Sequence, residues 1–186
     1  PTAAIRPIGL DERRGRNEFS GRGPIRIGTA FVDRGRCLPW AMDRPCIVCQ
    51  ENCPVSPKAI FTREVFNAVR TSAPLTVKST DRGRLALAAD TLEPGRISTG
   101  DYYALLPGGL RLRITANTAG TLDLERPLAG PETPPPGSPV AVLVRLQQPY
   151  VDPKQCIGCG VCEHECPVLG LRAIRVSDRA NDRQRL

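Results

Sequence analysis

The sequence predicts an α+β protein: a domain of short strands and helices built around cysteine groups, split by an inserted small all-β barrel or sandwich. Three observations carry this. All eight cysteines fall into two sets of four, Cys37, Cys46, Cys49 and Cys53 upstream, Cys156, Cys159, Cys162 and Cys166 downstream. Each set closes on Cys-Pro and is followed by a segment containing Ala-Ile, "PVSPKAIF" at 54–61 and "PVLGLRAIRV" at 167–176. Between them, residues 73–148 contain no cysteine and alternate short apolar runs with turn signals, as β-hairpins do.

Residues 1–36 read as an N-terminal linker, Arg-rich in "DERRGRNEFSGRGPIRIG". Its start, "PTAAIRPI" at 1–8, repeats the Ala-Ile ending of the two later segments. It is expected to be the tail of a preceding cysteine unit, which would make this chain the C-terminal part of a longer protein.

Residues 37–62 form the first cysteine motif. Cys46-x2-Cys49-x3-Cys53-Pro54 copies the last three positions of the downstream run, whereas Cys37 stands nine residues before Cys46, with "LPWAMDRP" between them. Pro39 and Pro45 stiffen that loop and remove two backbone donors, and Trp40 gives it an apolar side chain to bury. A longer loop adds little closure entropy, so Cys37 stays a candidate ligand.

The insertion at 73–148 is expected to supply five or six short strands, among them "LRLRITA" and "TLDLE", with Pro107-Gly108-Gly109 and Ala119-Gly120 at turns. "GPETPPPGSP" at 130–139 cannot be central strand. Because the chain leaves and re-enters beside cysteine motifs, the ends of the insertion must lie close together. The insertion has neither His nor Cys and shows no catalytic set. Asp101, Tyr102 and Tyr103 read as a binding edge or as strand packing.

Residues 149–178 form the second motif and 179–186 a tail. The spacing Cys156-x2-Cys159-x2-Cys162-x3-Cys166-Pro167 is the iron–sulfur run of bacterial ferredoxins, in which the fourth cysteine ligates a different cluster from the first three. Two other chemistries compete. Disulfides suit shorter secreted scaffolds and form poorly between cysteines two or three residues apart. Zinc suits paired Cys-x2-Cys knuckles, yet does not call for three thiols at successive spacings followed by Cys-Pro. Small residues such as Gly158 and Gly160 let backbone N–H groups approach a cluster, and Ile47, Val48, Ile157 and Val161 can shield it from water. Without metal, this part of the chain is expected to be largely unfolded.

The order "IGTAFVDRGRCL", a clustered Cys-x2-Cys-x3-Cys-Pro, "KAI", an insertion, "D-x-x-x-CIGCGVCEHECPV" and "AIRV" resembles the polyferredoxin-type proteins of periplasmic nitrate reductase and methylamine utilisation systems. The resemblance covers residues 1–62 and 150–178. It implies a dicluster ferredoxin-like domain with two [4Fe–4S] clusters. Cys37, Cys46, Cys49 and Cys166 would bind the first, and Cys156, Cys159, Cys162 and Cys53 the second. It also implies single-electron relay between redox protein partners, a membrane quinol-linked subunit among them, with membrane association through the parent protein on an undetermined side. Each cluster would have four thiolates and no vacancy for substrate, so the expectation is an electron carrier or electron-transfer subunit and no enzyme.

Composition is compatible with this: 186 residues at 40% apolar content can form one or two small cores, though aromatics are only 4%. No apolar run reaches the roughly 20 residues of a membrane span. The net charge of +7 admits a rival, a cluster- or zinc-stabilised scaffold binding protein or nucleic acid. No helix-turn-helix, aromatic platform or phosphate loop accompanies the arginines, so docking to an acidic partner and a solvated linker are the readings kept, with no nucleic acid. His164, on the short turn between Cys162 and Cys166, is expected to be exposed.

Overall fold

The structure, a computed structural model, describes residues 9–13, 15–17, 20, 21 and 26–178. The stretch 1–8, read as the tail of a further cysteine unit, and the tail 179–186 lie outside the described residues. Elements run in the order α1 (Leu10–Arg13), β1 (Thr29–Val32), α2 (Leu38–Ala41), α3 (Val48–Glu51), β2 (Ile60–Ala68), β3 (Leu75–Asp81) and β4 (Arg84–Leu87). Then follow β5 (Tyr102–Leu105), β6 (Arg111–Asn117), β7 (Thr121–Leu124), β8 (Pro139–Val151), α4 (Val161–Glu165) and β9 (Ile174–Ser177).

The α+β, dicluster ferredoxin-like fold expected from the sequence is corrected by this element list. The described residues are mainly β, with one seven-stranded and one two-stranded sheet. Among the described residues, α-helix is confined to four segments of four or five residues. The physical reason is local. The left-handed Asp43, at φ 49°, and then Pro45 follow α2, Pro54 follows α3, and Pro167 follows α4. Each cysteine helix is therefore stopped after about one turn.

The described residues divide into two compact units, one of those within 9–41, 47–62 and 149–178, the other of 42–46 and 63–148. In the larger sheet the strand order is β2-β8-β3-β4-β7-β6-β5, and β8 also pairs with β5. Six of its strands thus close on themselves as a barrel. The 13-residue β8 makes the closure possible, pairing with β3 at Pro139 and Val140 and with β5 from Ala141 to Val144. Alternation decides which face is inside: Leu112 and Ile114 of β6, Leu122 and Leu124 of β7, and Val140 and Val142 of β8 are buried in one core with Val77, Leu85 and Leu87. Each such side chain contributes about 1.5–3 kcal/mol by leaving water. Gly108 and Gly109, at φ 82° and 84°, make the bend between β5 and β6 that a side chain would resist. Pro139 is the first residue of β8, where a missing N–H is tolerated, so the proline-rich loop reaches into a central strand by one residue.

Asp101, Tyr102 and Tyr103 take packing roles. Asp101 accepts from Arg145 at 2.8 Å, Tyr102 lies against the barrel core, and Tyr103 meets Phe66 edge-on with ring centres 5.4 Å apart.

The cysteine-bearing unit contains the smaller sheet. Here β1 and β9 pair antiparallel from Thr29 opposite Ser177 to Val32 opposite Ile174. Residues 29–32, within the segment read as linker, are thus a largely buried strand. Its core joins Ala30, Ala59, Ile60, Val151, Ala173 and Ile174 to the buried cysteines. Both Ala-Ile repeats lie in this core. The chain leaves the unit along β2 and returns along β8, which are neighbours in the large sheet. No helix among the described residues is long and apolar enough to cross a membrane.

Candidate iron–sulfur centre

Each cysteine motif is entered through an aspartate. The N–H of Cys156 donates to the carbonyl of Asp152 at 3.0 Å, and that of Cys37 to the carbonyl of Asp33 at 3.1 Å. The two aspartates are then tied crosswise. The N–H of Asp152, ahead of the second motif, donates to Ala59 behind the first, and the N–H of Asp33, ahead of the first, donates to Ala173 behind the second, both at 2.7 Å. The start of each motif is thereby pinned to the end of the other. Arg36 reinforces one crossing by donating to the carbonyls of Leu171 at 2.7 Å and Leu169 at 3.3 Å.

Past Asp152 the chain winds tightly. Gly158 and Gly160 adopt φ of 71° and 78°, and Gly158 lies so close to Gly28 that a Cβ would come within 2.4 Å of the Gly28 oxygen. Only glycine satisfies both demands there. Gly160 starts α4, whose single turn carries Cys162 and packs beside α3, which carries Cys49.

This winding brings four thiols round one recess. Cys53, Cys156, Cys159 and Cys162 line it, with Ala30, Pro54, Val55, Ala59, Ile60, Ile157, Gly160 and Val176. Its empty space is about 310 Å³, counting the part open to solvent. The lining is otherwise apolar, which limits water at the sulfurs other than that of the exposed Cys159. The buried N–H of Ala30 donates to Cys156 Sγ at 3.3 Å, the kind of bond that favours charge on a sulfur. Burial, and then the neighbouring Cys156, Cys159 and Cys53, push the Cys162 thiol up to about 12 from an ordinary 9.0. A cationic metal body at the recess would favour the ionised form of the Cys162 thiol.

The remaining cysteines are placed less closely by the described contacts. Cys37, Cys49 and Cys166 are buried in the apolar cluster that also holds Cys156 and Cys162. Cys46 is half-buried on the 42–46 stretch, which groups with the barrel unit. None of the eight cysteines forms a disulfide. Among the described residues, no three His, Cys, Asp or Glu side chains converge closely enough to hold a single metal ion. In the cysteine unit, Trp40 packs edge-on against Tyr150 at 5.4 Å and donates from Nε1 to Pro149 at 3.3 Å, which anchors the long loop after Cys37. The His164 side chain is 86% exposed and lies 2.9 Å from Glu165, away from the recess.

Sequence reasoning missed Ala30, Asp33 and Arg36. The aspartate was legible, since Asp-x3-Cys occurs at both Asp33 and Asp152. Ala30 acts through its backbone, and no side-chain motif marks it.

Residues 149–171 match the 4Fe-4S binding domain family. The match spans all four downstream cysteines. The chain therefore contains an iron–sulfur, ferredoxin-type binding segment. No curated protein and no solved structure matches the chain.

Proposed function

We propose that the protein is an electron-transfer component that relays single electrons through two [4Fe–4S] clusters, as a carrier or as a subunit of a membrane-associated oxidoreductase complex. The observation that carries this reading is the recess itself: three thiols from the downstream run meet Cys53 from the upstream one. That is the ligand exchange expected of two cooperating cysteine groups. Cys156, Cys159, Cys162 and Cys53 would hold one cluster. The crosswise ties of Asp33 and Asp152 support the reciprocal set, Cys37, Cys46, Cys49 and Cys166, for the other.

When bound, such clusters supply reversible one-electron exchange and need no proton donor or substrate pocket. The protein's own groups then have defined tasks. Ala30 steadies charge on the Cys156 sulfur, while Ile60, Val55 and Val176 limit water at the recess. Redox proteins would be the partners, a membrane quinol-linked subunit among them by the sequence resemblance.

Anaerobic reconstitution tests the reading. About eight irons and eight sulfides per chain are expected for two cubanes. In electron paramagnetic resonance of the reduced protein, Cys53→Ser should lose the signal lost in Cys156→Ser. Loss of the Cys46→Ser signal instead refutes the exchange, and zinc without visible charge-transfer absorption refutes the function in favour of a metal-stabilised scaffold.

A further inference from the structure

We propose that the surface around Cys159 docks an acidic redox protein, an inference that rests on the electron-transfer reading above. Cys159 is the one exposed cysteine of the eight. Electron tunnelling weakens steeply with distance, so an acceptor gains most by approaching the recess where its wall of protein is thinnest.

The surroundings of Cys159 are built for contact. Ile157 is 39% exposed and Ile27 79% exposed, two apolar side chains left in water beside the thiol's loop. They stand on a fixed base, because the N–H of Ile27 donates to the Ile157 carbonyl at 3.3 Å and Gly28 lies against Gly158. Exposed apolar side chains on a rigid base lose little entropy when a partner covers them.

Charge selects the partner. The Arg26 guanidinium donates to the carbonyls of Pro153, at 2.8 Å, and Lys154. Carbonyls satisfy its hydrogen bonds without neutralising it, so its charge is held beside the exposed Lys154. The nearest acid in that segment, Asp152, is half-buried and accepts the Lys154 N–H at 2.8 Å. An apolar centre with a cationic edge fits a protein with acidic groups round its own redox centre. The net charge of +7 extends that attraction to longer range.

The test uses reduced, fully loaded protein in stopped flow against three oxidants: tris(oxalato)cobaltate(3−), hexaamminecobalt(3+) and an acidic flavodoxin. Lys154→Glu should lower the rate with the cobaltate anion and with flavodoxin by about threefold or more at low salt, and raise it with the cation. Lys78→Glu, an equal charge change on the exposed face of β3, should shift all three much less. Ile27→Ser, which leaves the recess lining intact, should slow flavodoxin alone. Equal effects of Lys154→Glu and Lys78→Glu, or no effect of Ile27→Ser on flavodoxin, overturn the docking face while leaving electron transfer standing. Wild-type protein with no charge-transfer band, or with no electron delivery to any oxidant, overturns both.

Discussion

Gly158 and Gly160 share a left-handed backbone, at φ 71° and 78°, but not the same surroundings. A Cβ on Gly160 meets nothing within 4 Å, whereas one on Gly158 meets the oxygen, nitrogen and carbonyl carbon of Gly28 at 2.4, 2.5 and 2.8 Å. The left-handed conformation costs an alanine about 1–2 kcal/mol. Loss of unfolded-chain entropy offsets about 0.4–1 kcal/mol of that. Gly160→Ala should therefore destabilise the loaded protein by about 1 kcal/mol. Gly158→Ala adds a collision of backbone with backbone, which no rotamer relieves. At about 1–3 kcal/mol for overpacking, its total reaches roughly 2–4 kcal/mol. Anaerobic urea unfolding followed at the charge-transfer band measures both, with iron content as a check on loading. If Gly160→Ala proves as damaging as Gly158→Ala, the close approach of residues 28 and 158 is not what shapes the loop.

Two further outcomes are expected. In metal-free protein the Cys162 thiol is held up to about 12 against an ordinary 9.0, so its contribution to stability is full below pH 9 and lost as pH rises toward 12. A ligated thiolate has no such proton to lose, so circular dichroism should show the structure that the cysteine unit retains without metal being lost across that window, while the loaded form keeps its own. Ala30→Pro removes the N–H that reaches Cys156 Sγ, and on the proposed two-cluster reading the potential of one cluster should become more negative in protein-film voltammetry while the other stays put. Equal movement of both waves would refute a local role for that bond.

What the sequence disclosed follows from what each residue does with its side chain. Alternation along "LRLRITA" reports one wet and one dry face, and β6 shows it, with Leu112 and Ile114 buried and Arg111 and Arg113 exposed. The cysteine spacings were legible for the same reason, because a thiol is both the ligand and the letter that marks it. The fold class was misjudged where spacing says nothing about length. "LPWA" and "VCEHE" do turn into helix, but the left-handed Asp43 with Pro45 after the first, and Pro167 after the second, stop them within a turn, leaving the strands to dominate. Backbone functions left no trace: the strand at 29–32 sits in an Arg-rich stretch that composition marks as solvated. Of its four residues, Ala30 acts through an N–H that every residue but proline has.

The crosswise ties and the barrel together predict how the cysteine unit assembles. Its segments at 47–62 and 149–178 are joined through the whole barrel, and an unstructured connection of that length would cost about 3 kcal/mol more to close than a two-residue turn. The folded barrel removes that cost, because β2 and β8 run side by side as they leave the unit. The same register holds at both ends, where Asp152 donates to Ala59 and Val69 donates to Val142. It sets Phe61 against Tyr150, whose rings stack at 5.6 Å, and Arg63 opposite Gln148. Replacing residues 64–147 with Asn-Gly would then turn two paired strands into one tight hairpin in their existing register. The shortened chain should load iron as fully as the native chain. In the native chain, Leu85→Ala, at a side chain with 0% exposure, should weaken the barrel by about 2–5 kcal/mol and lower iron loading at temperatures where the barrel melts. The shortened chain lacks that dependence. Iron and sulfide content measured across a temperature series decides the matter. A shortened chain that stays metal-free under conditions that load the native one would mean that the barrel supplies more to the cysteine unit than the closing of its ends.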